Sequence, residues 1–233
     1  MNAALLYCLC MFMRTPSIED YLKTIYKLEA EGSGPPVSSG SIAEAMQVAP
    51  ASASNMMRRL DDLGFIDYEA YAGATLTEPG RTVALEVIRH HRLLELYLKE
   101  VMGFDWAAVH HEAERLEHHI SETFEDRIEE MLGHPTHDPH GHPIPTREGA
   151  VDALSTHTLA DVAAGATAVI DHVSDDDAEV LTLLEQRGLL PGTTVDVRET
   201  RPLEGLMVVA IDGDETIIGY PVANKVFVRP PAE

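Results

Sequence analysis

The sequence is poor in cysteine, in aromatic residues and in positive charge. Its two cysteines, Cys8 and Cys10, lie in a leading segment, so the chain has neither a disulfide framework nor a thiolate metal site. This scarcity favours a reducing, cytoplasmic location. Only 17 Lys and Arg stand against 39 Asp and Glu, which gives a net charge of −22. Such a polyanion binds nucleic acid only where positive charge is locally concentrated.

Long hydrophobic runs are also missing. No stretch reaches the roughly 18 apolar residues that a membrane span requires, so no membrane partner is expected. Residues 1–13 are apolar and uncharged but lack the basic start and the cleavage site of a secretory signal. We interpret them as a leader or a misassigned start, with Met13 as the working initiator or a short disordered tail as the alternatives. The chain as a whole has the composition of an ordinary globular protein, with 45% hydrophobic and 24% charged residues.

The first part of the chain has helical periodicity followed by a short hairpin pattern. Apolar residues recur at three and four from Ser17 until Gly32, and two shorter helical segments follow, Ser39 to Met46 and Ala51 to Gly64. Residues 65–68 and 74–76 then alternate as two strands. This order predicts a winged helix-turn-helix, whose third helix enters the major groove of DNA.

The third helix carries polar side chains suited to DNA. Ser52, Ser54 and Asn55 are candidate base or phosphate contacts, and Arg58 and Arg59 are candidate phosphate contacts. The alternative interpretation is that these residues form the solvent face of a core helix.

Ten histidines lie between His90 and His142. If residues 110–118 form one α-helix, steps of three and four place His110, Glu114, Glu117 and His118 on one stripe. His91 and Glu95 repeat the i, i+4 spacing on the preceding helix. Nitrogen and oxygen donors in this pattern predict a site for a first-row divalent metal, although helices rich in Glu and His are often only solvated faces.

A proline-rich loop with four histidines follows the predicted metal helix. We interpret these four as surface residues: His134, His137, His140 and His142. Residues 147–157 lack periodicity and are predicted to be a linker. Beyond them, five short β-type runs surround a helix predicted over Asp175 to Arg187, and Asp212-Gly213 predicts a tight turn.

The order of these motifs resembles the diphtheria-toxin-repressor family of metal-dependent transcriptional regulators, which includes iron-dependent and manganese transport regulators. The segments that carry the resemblance are Ser17–Tyr26, His90–Glu95, Val109–His119 and His140–Pro145. The C-terminal part resembles the SH3-like domain of longer members, which also occurs in ferrous-iron transport proteins.

The resemblance implies a mainly α fold with small β parts. The expected domains are a winged helix-turn-helix DNA-binding domain over 14–84, a helical metal-binding and dimerisation domain over 85–146, the linker, and an SH3-like β-barrel domain over 158–233.

The resemblance also implies two metal sites. The family's primary site would be formed by Asp20, Glu114, Glu117 and His118. Its ancillary site would use His91, Glu95 and His110, and a C-terminal carboxylate would complete it, for which Asp177 and Glu179 are the candidates. A run of acidic residues at a helix start is otherwise explained by capping and by the helix dipole.

Iron-responsive members carry a Met and a Cys where this chain has Asp20 and Glu114. Because both sulfur donors are replaced by oxygen, the expected metal is Mn²⁺, with Fe²⁺ as the alternative. Lys23 stands where short manganese regulators carry a carboxylate, so their two-metal cluster is not expected. The wing, residues 69–74, lacks the Arg that relatives place near Ala72.

The implied function is a metal-dependent repressor of metal-uptake genes that binds an inverted-repeat DNA operator as a homodimer. We expect no enzymatic activity and no small-molecule substrate. A metal buffer or a metalloenzyme that uses the same His and Glu cluster is the alternative, although the sequence offers neither a nucleophile nor a phosphate-binding loop.

Overall fold

The computed structural model describes residues 14–32 and 34–231, and the predicted leader with both cysteines lies outside this range. The chain divides into two compact units. The first contains the described residues up to Arg89 together with Arg147–Gly149, and the second contains His90–Thr146 and the residues from Ala150 onward. No helix in the described ranges is long and apolar enough to cross a membrane.

The first unit consists of helices packed with a two-stranded hairpin. Its elements are α1 (Pro16–Glu31), α2 (Ser39–Ala45), α3 (Pro50–Asp62), β1 (Ile66–Glu69), β2 (Gly73–Leu76) and the start of α4 (Glu78–Glu100). On α1, Ile18, Leu22 and Ile25 are fully buried, as the period of 3.6 requires. The Ser38 side chain accepts the Ser41 amide at 3.0 Å and caps α2. The two strands are antiparallel, with Ile66 opposite Leu76, which completes the predicted winged helix-turn-helix order.

Three helical segments open the second unit: α4 from His90 onward, α5 (Val109–Leu116) and α6 (Glu122–Met131). The sequence analysis placed His110 to His118 on one stripe on the condition that a single helix covers them, but α5 ends two residues earlier, at Leu116. Glu117 is the C-cap of this helix, and its carbonyl oxygen lies 3.1 Å from the Nδ1 atom of His90. Ser121 then caps a new helix by accepting the Phe124 amide.

The remainder of the second unit is a five-stranded antiparallel sheet in the order β6-β5-β4-β3-β7. Its elements are β3 (Thr167–Val173), α7 (Ala178–Gln186), β4 (Thr194–Arg201), β5 (Leu206–Ile211), β6 (Asp214–Gly219), α8 (Tyr220–Ala223) and β7 (Val226–Arg229), with 3-10 turns at Leu159–Asp161 and Pro202–Glu204. Asp212 and Gly213 join β5 to β6 with φ angles of 51° and 93°, as the tight-turn signal predicted.

The core of this sheet includes a residue from the helical segment. Trp106, which precedes α5, is 2% exposed and packs in the same cluster as Leu181, Val195 and Met207. Its ring nitrogen donates to the Pro139 carbonyl oxygen at 2.9 Å. The contact between helical segment and sheet positions the side chains described next.

Candidate metal centre

Three side chains predicted as metal ligands meet where α4 and α5 pack together. His91 and Glu95 lie one turn apart on α4, and His91 Nε2 is 3.0 Å from Glu95 Oε1. His110, on the first turn of α5, places its Nδ1 3.1 Å from His91 Nε2 and 3.0 Å from Glu95 Oε1. The i, i+4 spacing on α4 therefore brings its two donors together as predicted.

The segment after β3 adds a carboxylate to this group. Asp175 Oδ2 lies 3.4 Å from His110 Nδ1. The sequence analysis gave Asp177 and Glu179 as candidates for the carboxylate that completes this group, but neither of them lies beside His110. Asp177 caps α7 by accepting the Glu179 and Val180 amides, and Glu179 is exposed. We call His91, Glu95, His110 and Asp175 the α4–α5 cluster.

His140 also reaches this cluster, which the sequence analysis did not anticipate. It was interpreted as a surface residue, but its side chain is completely buried, because its loop packs against β3 through a bond from the Val173 amide to the His140 carbonyl oxygen. Its Nδ1 lies 3.7 Å from Glu95 Oε1. Asp138 accepts the His140 amide at 2.8 Å and forms a second group of donors with Glu95 and His140.

The spacing of these atoms suits a bound ion. One donor atom from each member of the α4–α5 cluster lies within 4.8 Å of every other. Ligand atoms held about 2.1 Å from one ion are separated by about 3.0 Å at a right angle and about 3.4 Å at the tetrahedral angle. Among the described residues Glu95 Oε2, although buried, has no hydrogen-bond partner. A buried carboxylate oxygen without a donor is an available ligand atom.

The electrostatics of the cluster are those of a carboxylate surrounded by imidazoles. Burial alone lowers the pKa of His110, but hydrogen bonds and charge from Asp175 and Glu95 prevail and raise it to about 10. Burial likewise lowers the pKa of His140, and the adjacent Glu95 carboxylate raises it to about 9. Burial raises the pKa of Glu95, and the imidazoles outweigh this effect and keep the pKa well below its usual value. A divalent cation would replace the protons that now balance this buried charge.

The four residues predicted for the primary site are distributed over the two units. Asp20 lies on α1 of the first unit. In the second unit, Glu117 and His118 follow α5, and His118 Nε2 is 3.4 Å from Glu117 Oε1. Glu114 is half exposed, and its Oε1 lies 3.7 Å from His110 Nε2.

The candidate DNA-contact residues lie on α3. Ala53, Met57 and Leu60 face the core and are fully buried. The opposite face carries Ser52, Asn55, Arg58 and Arg59, all exposed, whereas Ser54 is half-buried. Arg58 donates to the Asn55 side-chain oxygen at 3.1 Å. A DNA molecule could therefore reach four of the five candidates without any change in the core.

Three family models together match most of the chain. The iron dependent repressor N-terminal DNA binding domain matches residues 13–74. The iron dependent repressor metal binding and dimerisation domain matches 77–146, and the FeoA domain matches 157–230.

Named relatives match either nearly the whole chain or a part of it. The iron-dependent repressor IdeR of Mycobacterium tuberculosis is 34% identical over 225 residues, which are 91% of this chain and 96% of that protein. The transcriptional regulator MntR of Bacillus subtilis is 37% identical over 105 residues, 45% of this chain and 72% of that protein. A solved manganese-dependent transcriptional repressor in complex with manganese has a TM-score of 0.83 and 35% identity, covering 92% of this chain and 100% of that one.

These matches confirm the predicted fold class, with its helical DNA-binding domain, dimerisation domain and C-terminal sheet domain. They also confirm the predicted family. The chain belongs to the iron-dependent repressor family, the diphtheria-toxin-repressor family of metal-dependent transcriptional repressors that its motifs resemble.

Proposed function

We propose that this protein is a manganese-activated repressor that binds an inverted-repeat DNA operator as a homodimer and controls metal-uptake genes. The observation that carries the proposal is the α4–α5 cluster, where two imidazoles and two carboxylates converge at distances that suit a divalent ion. Asp138 and His140 extend the same donor set. All of these donors are nitrogen or oxygen.

The donor type favours manganese over iron. Carboxylate ligands suit Mn²⁺, and thiolate and thioether ligands favour softer metals. Imidazole also binds Fe²⁺ and Zn²⁺, so the preference for manganese rests on the carboxylates and on the lack of sulfur among these donors. The candidate set for the other site is similar, because Asp20 and Glu114 replace the sulfur donors of iron-responsive members. Named relatives of both kinds support a metal-dependent regulator, since one is an iron-dependent repressor and another is a manganese-dependent repressor bound to manganese.

Metal would act by selecting one arrangement of the chain. Asp20 belongs to the unit that carries α3, whereas Glu114, Glu117 and His118 belong to the unit that carries the dimerisation domain. Metal binding would favour the conformation that binds DNA, in proportion to the differential affinity of the metal for that conformation.

The test is a metal titration of DNA affinity. A high-affinity site is first selected from random duplex DNA in the presence of Mn²⁺, and binding is then measured with Mn²⁺, Fe²⁺, Co²⁺, Zn²⁺ or chelator. We expect sequence-specific binding that requires metal and that saturates with Mn²⁺. Binding that persists unchanged in chelator, or no specific DNA binding at all, would contradict the proposal.

The same titration tests the argument from donor type. Glu114→Cys should move the metal ranking towards Fe²⁺ and Zn²⁺, because it restores a soft ligand at a predicted metal position. Glu112→Cys is the matched control, since Glu112 lies on the same helix and pairs with Arg115 at 2.9 Å. If the order of metal affinities changes equally in both variants, the new cysteine thiol affects metal binding without being a ligand of the predicted primary site.

A further inference from the structure

Lys225, which immediately precedes β7, contacts the turn of residues 174–177 between β3 and α7. This turn contains three consecutive aspartates, and it lies in the second unit together with Lys225. The Lys225 Nζ atom donates to Asp176 Oδ1 at 2.9 Å and lies 3.7 Å from Asp177 Oδ2. The Lys225 carbonyl oxygen accepts the Ser174 amide at 2.9 Å. One residue therefore contacts the turn through both its backbone and its side chain.

These contacts start from the end of a buried pair of strands. Val173 of β3 and Val226 of β7 are register partners, and both side chains are fully buried. Ser174 and Lys225 are the next residues along the two strands, so the chain enters the turn from a fixed point of the sheet. A four-residue turn that begins there has little conformational freedom once its carboxylates are also bound.

The three aspartates of the turn make three different contacts. Asp177 caps α7 with its side chain, and Asp176 accepts from Lys225. Asp175 places its Oδ2 atom 3.4 Å from His110 Nδ1 in the α4–α5 cluster. Its side chain is 17% exposed, against 68% for Asp176 and 42% for Asp177. The least exposed carboxylate of the turn is thus the one that reaches the cluster.

Charge makes this arrangement depend on Lys225. Three adjacent carboxylates repel one another, and each of them offers oxygen atoms that suit a divalent metal. The ammonium group of Lys225 offsets this repulsion by attracting Asp176 and Asp177. It therefore favours the conformation of the turn in which the remaining carboxylate, that of Asp175, reaches His110.

We propose that Lys225 is a positioning residue for the metal centre, because its contacts with Asp176 and Asp177 keep the Asp175 carboxylate in place as a ligand of the α4–α5 cluster. The proposal rests on the metal site of the function proposed above. A positive charge near a metal site by itself weakens the binding of another cation, since like charges repel. Positioning by Lys225 acts in the opposite direction to this repulsion, and the sign of the effect therefore distinguishes the two.

The test measures the Mn²⁺ affinity of the cluster in the full-length chain without DNA. All proteins carry Asp20→Asn, which removes a predicted ligand of the other site, and free Mn²⁺ is followed by electron paramagnetic resonance. We expect Lys225→Met to lower the affinity by about threefold, since an exposed ion pair changes an equilibrium constant by about 1.4-fold to fivefold. Lys225→Arg should recover most of the affinity, because it keeps a donor and a positive charge at this position.

A double-mutant cycle separates positioning from a general effect on folding. When Asp175→Asn is also present, Lys225→Met should no longer lower the affinity, because the carboxylate through which Lys225 acts has been removed. Arg198→Met is the matched control. It removes a positive charge from an exposed ion pair with Asp196 on β4, where the two side chains are 3.2 Å apart, and it should not lower the affinity with or without the Asp175 carboxylate.

The outcomes distinguish this inference from the proposed function. An affinity that rises or stays the same in Lys225→Met would overturn the inference and leave the manganese site in place. An equal loss with and without the Asp175 carboxylate would also overturn it, because Lys225 would then act through the fold of the domain. Mn²⁺ that binds the wild type but not the Asp20→Asn protein would show that the ion does not bind at the cluster, which overturns this inference. A wild-type chain that binds no Mn²⁺ would overturn both proposals.

Discussion

Glu29 is a buried carboxylate that connects three elements of the DNA-binding unit. One of its oxygens accepts the Leu76 amide of β2 at 3.0 Å, and the other accepts from the Arg81 guanidinium on α4 at 2.9 Å. The Arg81 guanidinium also lies over the Tyr26 ring, 5.3 Å from its centroid. Glu29 therefore fixes the hairpin against α1 and α4.

Glu29→Gln should destabilise this unit by about 1–3 kcal/mol. The glutamine amide has a single oxygen and no charge, so if that oxygen accepts from the Leu76 amide, its NH₂ group faces the Arg81 guanidinium, which is also a donor. Chemical denaturation of the two proteins measures the difference. Glu44→Gln, on the exposed side of α2, is the control and should change stability by less than about 0.5 kcal/mol. Equal stability of Glu29→Gln and wild type would mean that the contacts with Leu76 and Arg81 contribute nothing.

His172 makes the stability of the second unit depend on pH. Its ring stacks on Phe227 of β7 with centroids 4.3 Å apart, and it also faces Asp171 and His142. Burial lowers the pKa of His172, and the Asp171 carboxylate only partly opposes that effect. His172 binds a proton more weakly in the folded state than in the unfolded state. The protein should therefore lose stability as pH falls below about 6.5, the pKa of histidine in the unfolded chain.

His172→Gln should therefore remove a contribution that rises with pH, so that the slope of the unfolding free energy against pH becomes less positive just below about 6.5. Denaturation at several pH values measures this slope. His157→Gln removes an exposed histidine of the same unit and should retain the wild-type slope. A slope that is unchanged in His172→Gln would assign the acid sensitivity to other groups.

Sequence patterns located some members of the α4–α5 cluster and missed others for physical reasons. His91 and Glu95 were predictable because helical spacing alone brings them together. Asp175 was missed because three consecutive aspartates precede α7, and only the folded loop selects the one that meets His110. His140 was missed because its burial depends on contacts with β3 that have no local signal.

The exposed face of helix α3 is the face predicted to contact DNA. Arg59 lies opposite the buried Met57 and Leu60 and is exposed. Arg59→Ala should weaken binding to all DNA sequences and reduce the slope of log affinity against log salt by about 1, as expected for one lost phosphate contact. Fluorescence anisotropy at several salt concentrations measures both quantities.

The matched control for Arg59 is Arg127→Ala, which removes an exposed arginine paired with Glu130 on α6. It should leave the affinity and the salt slope unchanged. If both variants behave alike, the effect of Arg59 would reflect net charge alone. An unaltered slope in Arg59→Ala would remove this residue from the DNA contacts.

The end of α5 illustrates why element boundaries were harder to predict than element types. The stripe that joins His110 to Glu117 continues to His118 in the sequence, and nothing local interrupts it. The helix nevertheless ends at Leu116, where His90 contacts the Glu117 carbonyl and Ser121 starts α6. Tertiary contacts thus override a sequence that is compatible with a longer helix.

At the scale of the whole molecule, the dimerisation domain exposes an apolar groove between α4, α5 and α6. Met102, Leu116 and Phe124 line it and are 56%, 36% and 44% exposed. Exposed apolar surface of this kind is typical of an interface between proteins. Because the family model for this domain describes dimerisation, we predict that a second copy of the chain packs on this groove.

A dimer would allow both α3 helices to bind one operator, with half-sites about 34–36 Å apart or a multiple of that spacing. Phe124→Glu should shift the chain from dimer to monomer by placing a charge in the apolar contact, and light scattering after size-exclusion chromatography measures the mass. Leu203→Glu is the control, because Leu203 is fully exposed in the C-terminal domain, and it should leave the dimer intact. The monomer should bind an operator with two half-sites much more weakly than the dimer does, but it should bind a single half-site about equally well. Only on the full operator does the dimer gain affinity by binding both half-sites at once. If Phe124→Glu remains dimeric and binds the full operator normally, the subunits must pair through another surface.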